Sequence, residues 1–89
     1  MTLSKEKRQA LKSQAHSLKP TVFLGVKGLT QAVLQEIDQT LLAHELIKVK
    51  IRGVEPGDKA GIIDQICQAV QADVVQTIGH MLTLYRKNN

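Results

Sequence analysis

Tryptophan is absent from this sequence, and its aromatic rings amount to Phe23 and Tyr85. A sheet that reads bases by stacking them on a row of exposed aromatics is therefore excluded in its usual form. Cysteine occurs once, at Cys67, so no internal disulfide can form and a reducing cytoplasm is the expected compartment. No apolar run approaches the roughly 20 residues of a membrane-spanning helix. Residues 1–15 are polar and basic, without the apolar segment of a secretory leader, so no membrane association is expected. Catalytic constellations are also missing. His16, His44 and His80 are scattered, and no Cys/His pair has metal-ligand spacing. No Gly-Lys-[Ser/Thr] completes a P-loop, and no third glycine completes a dinucleotide fingerprint. With 89 residues the chain forms one domain, residues 1–89, with little room for an enclosed substrate pocket. The expectation is a binding protein and not an enzyme, with no cofactor, metal or small-molecule substrate.

What is present is an ordinary globular share of hydrophobic residues, 43%, and a net charge of +4 that is distributed in blocks. Residues 1–28 carry a net charge of +5 and residues 29–45 a net of −3. Residues 46–53 return to +3, residues 54–73 to −3, and the tail ends at +2. This segregation points to one basic and one acidic face, a footprint suited to a polyanion.

The blocks coincide with secondary structure. Residues 4–18 read as a helix capped by Ser4 and ended before Pro20, with Leu11, Ala15 and Leu18 on one side. Lys5, Arg8, Lys12, His16 and Lys19 form a stripe about 80° wide beside that side, and Lys7 lies nearer to it. Residues 21–24 are β-prone, with Phe23 expected in the core. Thr30 caps a helix through about residue 44, whose apolar face is Val33, Leu34, Ile37 and Leu41. In residues 46–52, Ile47, Val49 and Ile51 alternate with Lys48, Lys50 and Arg52, a strand with one greasy and one basic face. A third helix over 58–72 buries Ile62, Ile63, Ile66, Cys67 and Val70, which makes Cys67 an inert thiol. Strands at 74–78 and 81–86 follow, hinged at Gly79-His80, with Tyr85 packed in the core and its hydroxyl wet.

The order α-β-α-β-α-β-β defines an α/β chain, an α+β two-layer sandwich on a four-stranded mixed sheet. Because strand 46–52 is not apolar on both faces, part of one sheet face or edge should be open, with Lys48, Lys50 and Arg52 exposed there. Between the first strand and second helix stands Gly25-Val26-Lys27-Gly28. Two glycines allow positive φ and close backbone approach, and the amides opening the next helix suit a phosphate. Lys27 adds a cation at the tip.

Gly25-Val-Lys-Gly-Leu-Thr30 after a basic helix, together with Ile78-Gly-His-Met-Leu-Thr-Leu-Tyr-Arg86, resembles the CRM domain, the chloroplast RNA splicing and ribosome maturation family, in its stand-alone bacterial form. The resemblance covers nearly the whole chain. It implies a fold similar to the C-terminal domain of translation initiation factor three, and RNA binding in precursors of the large ribosomal subunit. Family members usually place lysine directly after the first glycine, where this chain has Val26. The residues expected to contact RNA are Gly25, Val26, Lys27 and Gly28, then Lys5, Arg8, Lys12 and Lys19, then Lys48, Lys50 and Arg52, and finally Arg86. His80 is better read as a turn residue. The protein is expected to act as a monomer on ribosomal RNA. The alternative is an adaptor that touches a ribosomal protein or assembly factor through its sheet edge or acidic helices.

Overall fold

A computed structural model describes residues 3–25 and 28–88. Its elements are α1 (Lys5–Ala15), β1 (Val22–Leu24), α2 (Gln31–His44), β2 (Leu46–Ile51), α3 (Pro56–Val70), β3 (Asp73–Ile78) and β4 (Met81–Tyr85). The expected element order is the observed one. The helix starts follow from local chemistry. Ser4 Oγ accepts from the Lys7 amide at 3.0 Å, and Thr30 Oγ1 accepts from the Val33 amide at 3.2 Å. Pro56 occupies the first turn of α3, two residues before the expected start, because proline supplies a preset φ where no amide donor is needed.

The sheet order is β1-β2-β4-β3. β1 runs parallel to β2, while β4 is antiparallel to both β2 and β3. The closing hairpin thus inserts its second strand at the centre of the sheet and leaves β1 and β3 as edges. β2 and β4 are inner strands and take the larger share of the core. The ladder of β3 and β4 shifts register between Val74 and Gln76, a bulge at Val75.

One sheet face meets α2 and α3. Val22, Leu24, Ile47, Val49, Ile51, Leu82 and Leu84 bury themselves there against Ile37, Leu41, Ile66 and Val70. Each such side chain taken fully out of water stabilises the fold by about 1.5–3 kcal/mol. This is the expected sandwich of helices on a mixed sheet, with Ile47, Val49 and Ile51 on the expected face. On the opposite face, α1 covers one end of the sheet. Leu11 and Ala15 pack there with Leu3, Leu46, Val75 and Tyr85. The basic residues on and just past β2 are therefore only partly open: Arg52, beyond the strand's end, is exposed, whereas Lys48 and Lys50 are half-buried. They still point away from α2 and α3, since their neighbours Ile47, Val49 and Ile51 point toward them.

Two further expectations need correction. Phe23 is not in the core but is 59% exposed, because the inward positions of β1 belong to Val22 and Leu24. The first helix ends at Ala15, where the His16 amide is shared between the carbonyls of Lys12 and Ser13 and tightens the last turn. Leu18 and Lys19 consequently lie beyond the helix, and Leu18 is 37% exposed.

Candidate nucleic-acid interface

The loop after β1 is anchored at both ends. The Gly28 amide donates to the Gly25 carbonyl at 2.9 Å, which ties the two glycines together. Gly28 has φ +73°, a conformation in which an L side chain is strained. Gly25 has no positive φ, is exposed, and a Cβ built on it would meet nothing within 4 Å. The fold requires a glycine at 28 but not at 25. Val26 and Lys27 lie outside the described residues. After the turn, Thr30 caps α2, whose first amides carry the positive end of the helix dipole.

The cations on and just past the end of β2 stand next to this loop. The Arg52 amide donates to the Leu24 carbonyl at 3.0 Å, so Arg52 is adjacent to Gly25 in the sheet. Lys50 pairs across the ladder with Phe23, and Lys48 follows two residues behind it. The Gly25–Gly28 turn, Arg52, Lys50 and the exposed ring of Phe23 are therefore neighbours at one corner of the sheet. Phe23 is the member that sequence reasoning missed. The signal was available in its position, between two β-branched or aliphatic residues that compete for the single inward face of an edge strand.

The helix α1 contributes less uniformly than its stripe implies. Lys5 is exposed and Lys12 half-buried. One arm of the Arg8 guanidinium donates to the Val74 carbonyl at 2.7 Å and the Val75 carbonyl at 3.2 Å. Those carbonyls belong to the bulge, so Arg8 clamps α1 to the sheet edge. Lys7 sits over the ring of Tyr85, 5.1 Å from its centroid, which places Tyr85 in the core with a cation on its face. Lys12 and His16 line a shallow depression with Gln76 and Ile78, bringing the end of the stripe to the open part of the sheet.

Arg86 stands apart from this corner. Its guanidinium donates from Nη1 to Asp38 Oδ1 at 2.6 Å and to the Val70 carbonyl at 2.8 Å. From Nη2 it donates to the Asp38 carbonyl at 3.1 Å. Arg86 thus ties the end of the chain to α2 and to the C-terminus of α3, on the acidic side of the molecule. Cys67 is half-buried, and burial, then the nearby charges of Asp64 and Asp73, push its thiol above the ordinary range. His80 is exposed in the hairpin turn, where its carbonyl accepts from the Ile51 amide at 2.7 Å.

Three helices on a four-stranded mixed sheet, two of them packed on one face and the first on the other, define a small α/β domain. The CRS1/YhbY (CRM) domain pattern matches residues 3–86, and the chain belongs to this family. A Haemophilus influenzae protein named "RNA-binding protein" is 52% identical over 85 residues, 96% of this chain and 86% of its own length. A Pseudomonas aeruginosa protein named "Probable RNA-binding protein PA4753" is 42% identical, over 99% of this chain and 85% of its own. The solution structure of the hypothetical protein SAV1595 from Staphylococcus aureus superposes with a TM-score of 0.84 at 31% identity, covering 99% of this chain and 92% of that one.

Proposed function

We propose that this protein binds RNA by its backbone, at the corner formed by the Gly25–Gly28 turn, Lys48, Lys50 and Arg52, and that it does so on ribosomal RNA of large-subunit precursors. The observation that carries the reading is the adjacency of Gly25 to two cations: the Arg52 amide donates to the Leu24 carbonyl at 3.0 Å, and Lys50 pairs with Phe23. Gly25 has open space beside it, so a phosphate can approach the main chain there within reach of both cations. Relatives named as RNA-binding proteins support the choice of polyanion, and the family resemblance supports the ribosomal setting. The work is binding without bond cleavage, as a cytoplasmic monomer. Lys5 and Lys12 extend the positive surface along α1, and Lys19 follows it.

Gly28→Asp tests the proposal. It places a carboxylate beside the site and strains a residue at φ +73°. Stability should fall by about 1–2 kcal/mol, the left-handed penalty. RNA affinity should fall by roughly ten- to a hundredfold, the loss of a charge-assisted hydrogen bond or two. Co-sedimentation with large-subunit precursors should disappear with it. Lys27→Ala should lower the log–log salt slope of binding by about 0.7 on a single strand. A folded Gly28→Asp protein that binds RNA and precursor particles normally would reduce the loop to a turn.

A further inference from the structure

Four side chains form a row straight across the sheet, on the face that α1 leaves open. Phe23 on β1 pairs with Lys50 on β2, Lys50 with Met81 on β4, and Met81 with Ile78 on β3. Directly paired residues project to the same face, so the row spans three inter-strand steps, about 14 Å. Both ends are strongly exposed: Phe23 is 59% and Ile78 64% accessible. Single exposed apolar residues are unremarkable, but here the apolar ends and the half-buried Met81 belong to one continuous line. The line is interrupted only by a lysine.

The surroundings of the row decide what it fits. Lys48 precedes Lys50 on β2 and Arg52 follows just past the strand's end, and Lys12 and His16 share a depression with Ile78. The only acid in the four strands, Asp73, lies at the far end of β3, opposite Tyr85 under α1. A partner covering this face must therefore present flat apolar groups together with negative charge. The Cα of Gly25 is two residues from that of Phe23, about 6.6 Å along the strand direction. A phosphate resting on the loop thus has its own base within reach of the ring.

We propose, resting on the RNA-binding reading, that this row seats unpaired bases, with Phe23 as the stacking platform and Lys50 and Arg52 holding the intervening phosphates. The ligand is then a single-stranded loop, bulge or end and not a continuous duplex. In a duplex the base faces are already stacked and cannot reach the ring.

The test compares a twelve-nucleotide single-stranded RNA with a blunt duplex of the same length, by fluorescence anisotropy of labelled RNA. The proteins are the natural chain, Phe23→Ala, Phe23→Trp and Ile78→Ser. Phe23→Ala should weaken single-strand binding roughly 5- to 150-fold, the worth of one base–aromatic stack. Duplex binding should change by less than about twofold, and the salt slope should not change, because no charge is removed. Phe23→Trp should retain single-strand affinity, and Ile78→Ser should give a smaller loss confined to the single strand. Thermal melting of each variant checks that these exposed substitutions leave the fold intact. Equal losses on both RNAs, or no loss on either, overturn the stacking platform while leaving RNA binding in place. If the natural protein binds neither RNA, the RNA-binding reading fails and this inference with it. A concentration-dependent dimer by sedimentation that Phe23→Ala abolishes also overturns it, since the row is then covered by a second copy.

Discussion

Replacing Arg86 with alanine separates an arginine that folds the protein from one that holds RNA. The guanidinium makes three contacts, to the Asp38 carboxylate, the Asp38 carbonyl and the Val70 carbonyl, and its side chain is 17% exposed. A hydrogen bond with one charged partner contributes about 1.5–3 kcal/mol, and a neutral one about 1 kcal/mol. Asp38 is 44% exposed, so water screens and can replace part of its share. The net loss on Arg86→Ala should be roughly 2–4 kcal/mol, from freed carbonyls at α2 and α3 and a carboxylate without its partner. For a domain of this size that lowers the melting temperature by roughly 8–30 °C. It is a large share of the total, since small domains are stable by about 5–15 kcal/mol. Urea unfolding followed by circular dichroism gives the stability, and anisotropy at a temperature where the variant is folded gives RNA affinity. Arg86→Lys should recover only part of the stability, because a point charge cannot serve three acceptors at once. An unchanged unfolding midpoint with weakened RNA binding would show that the contacts to Asp38 and Val70 are dispensable and that Arg86 serves RNA directly.

Leu11→Ala should cost about 2–5 kcal/mol in urea unfolding, because Leu11 is 2% exposed between α1 and the sheet. A loss below 1 kcal/mol, on the order of a surface substitution, would mean that α1 is only loosely docked. Cys67 should alkylate slowly at neutral pH and accelerate only above the pH at which a free thiol does, since its ionisation is pushed upward by burial, then by Asp64 and Asp73. The linked stability has a definite sign. With the folded thiol raised above the unfolded one, its contribution is complete below the unfolded pKa and fades as pH rises through the folded value. Alkylation with a free-thiol pH profile in the folded protein would contradict this.

The helices and inner strands were legible because their residues carry period-3.6 or period-2 patterns that packing then enforces. Ile47, Val49 and Ile51 took the face toward α2 and α3, as their alternation with lysine requires. Three features escaped the pattern. Phe23 read as core from its residue type alone, whereas a three-residue edge strand has two inward positions, and Val22 and Leu24 fill them. Arg86 groups with the expected RNA-contacting cations, and its pairing with Asp38 goes unseen because that partner is 48 residues away, a separation no local pattern spans. The end of α1 read as later than it is, since Pro20 marks where a helix must stop and not where tertiary packing ends it. In the candidate site, the cations and glycines were visible as residue types. Their assembly around Phe23 depended on the parallel pairing of β1 with β2 and on its register, Phe23 against Lys50, a choice that leaves no trace in any single segment.

The bulge at Val75 acts as a phase change in β3. Val74 pairs with Leu84 and packs toward α2 and α3, so strict alternation would also send Gln76 and Ile78 inward and Thr77 outward. The extra residue reverses that assignment. Thr77 now pairs with Leu82 on the inner side, and Ile78 pairs with Met81 on the open one. One strand thereby serves two environments, closing the core with its first half and meeting solvent with its second. Val75 itself joins the α1 cluster, and the kinked backbone offers its carbonyls to Arg8. The inserted residue thus couples the docking of α1 to the side chain that the distant edge displays. Length at this point in the chain is as constrained as residue type, and a one-residue deletion there is equivalent to turning over the end of the strand.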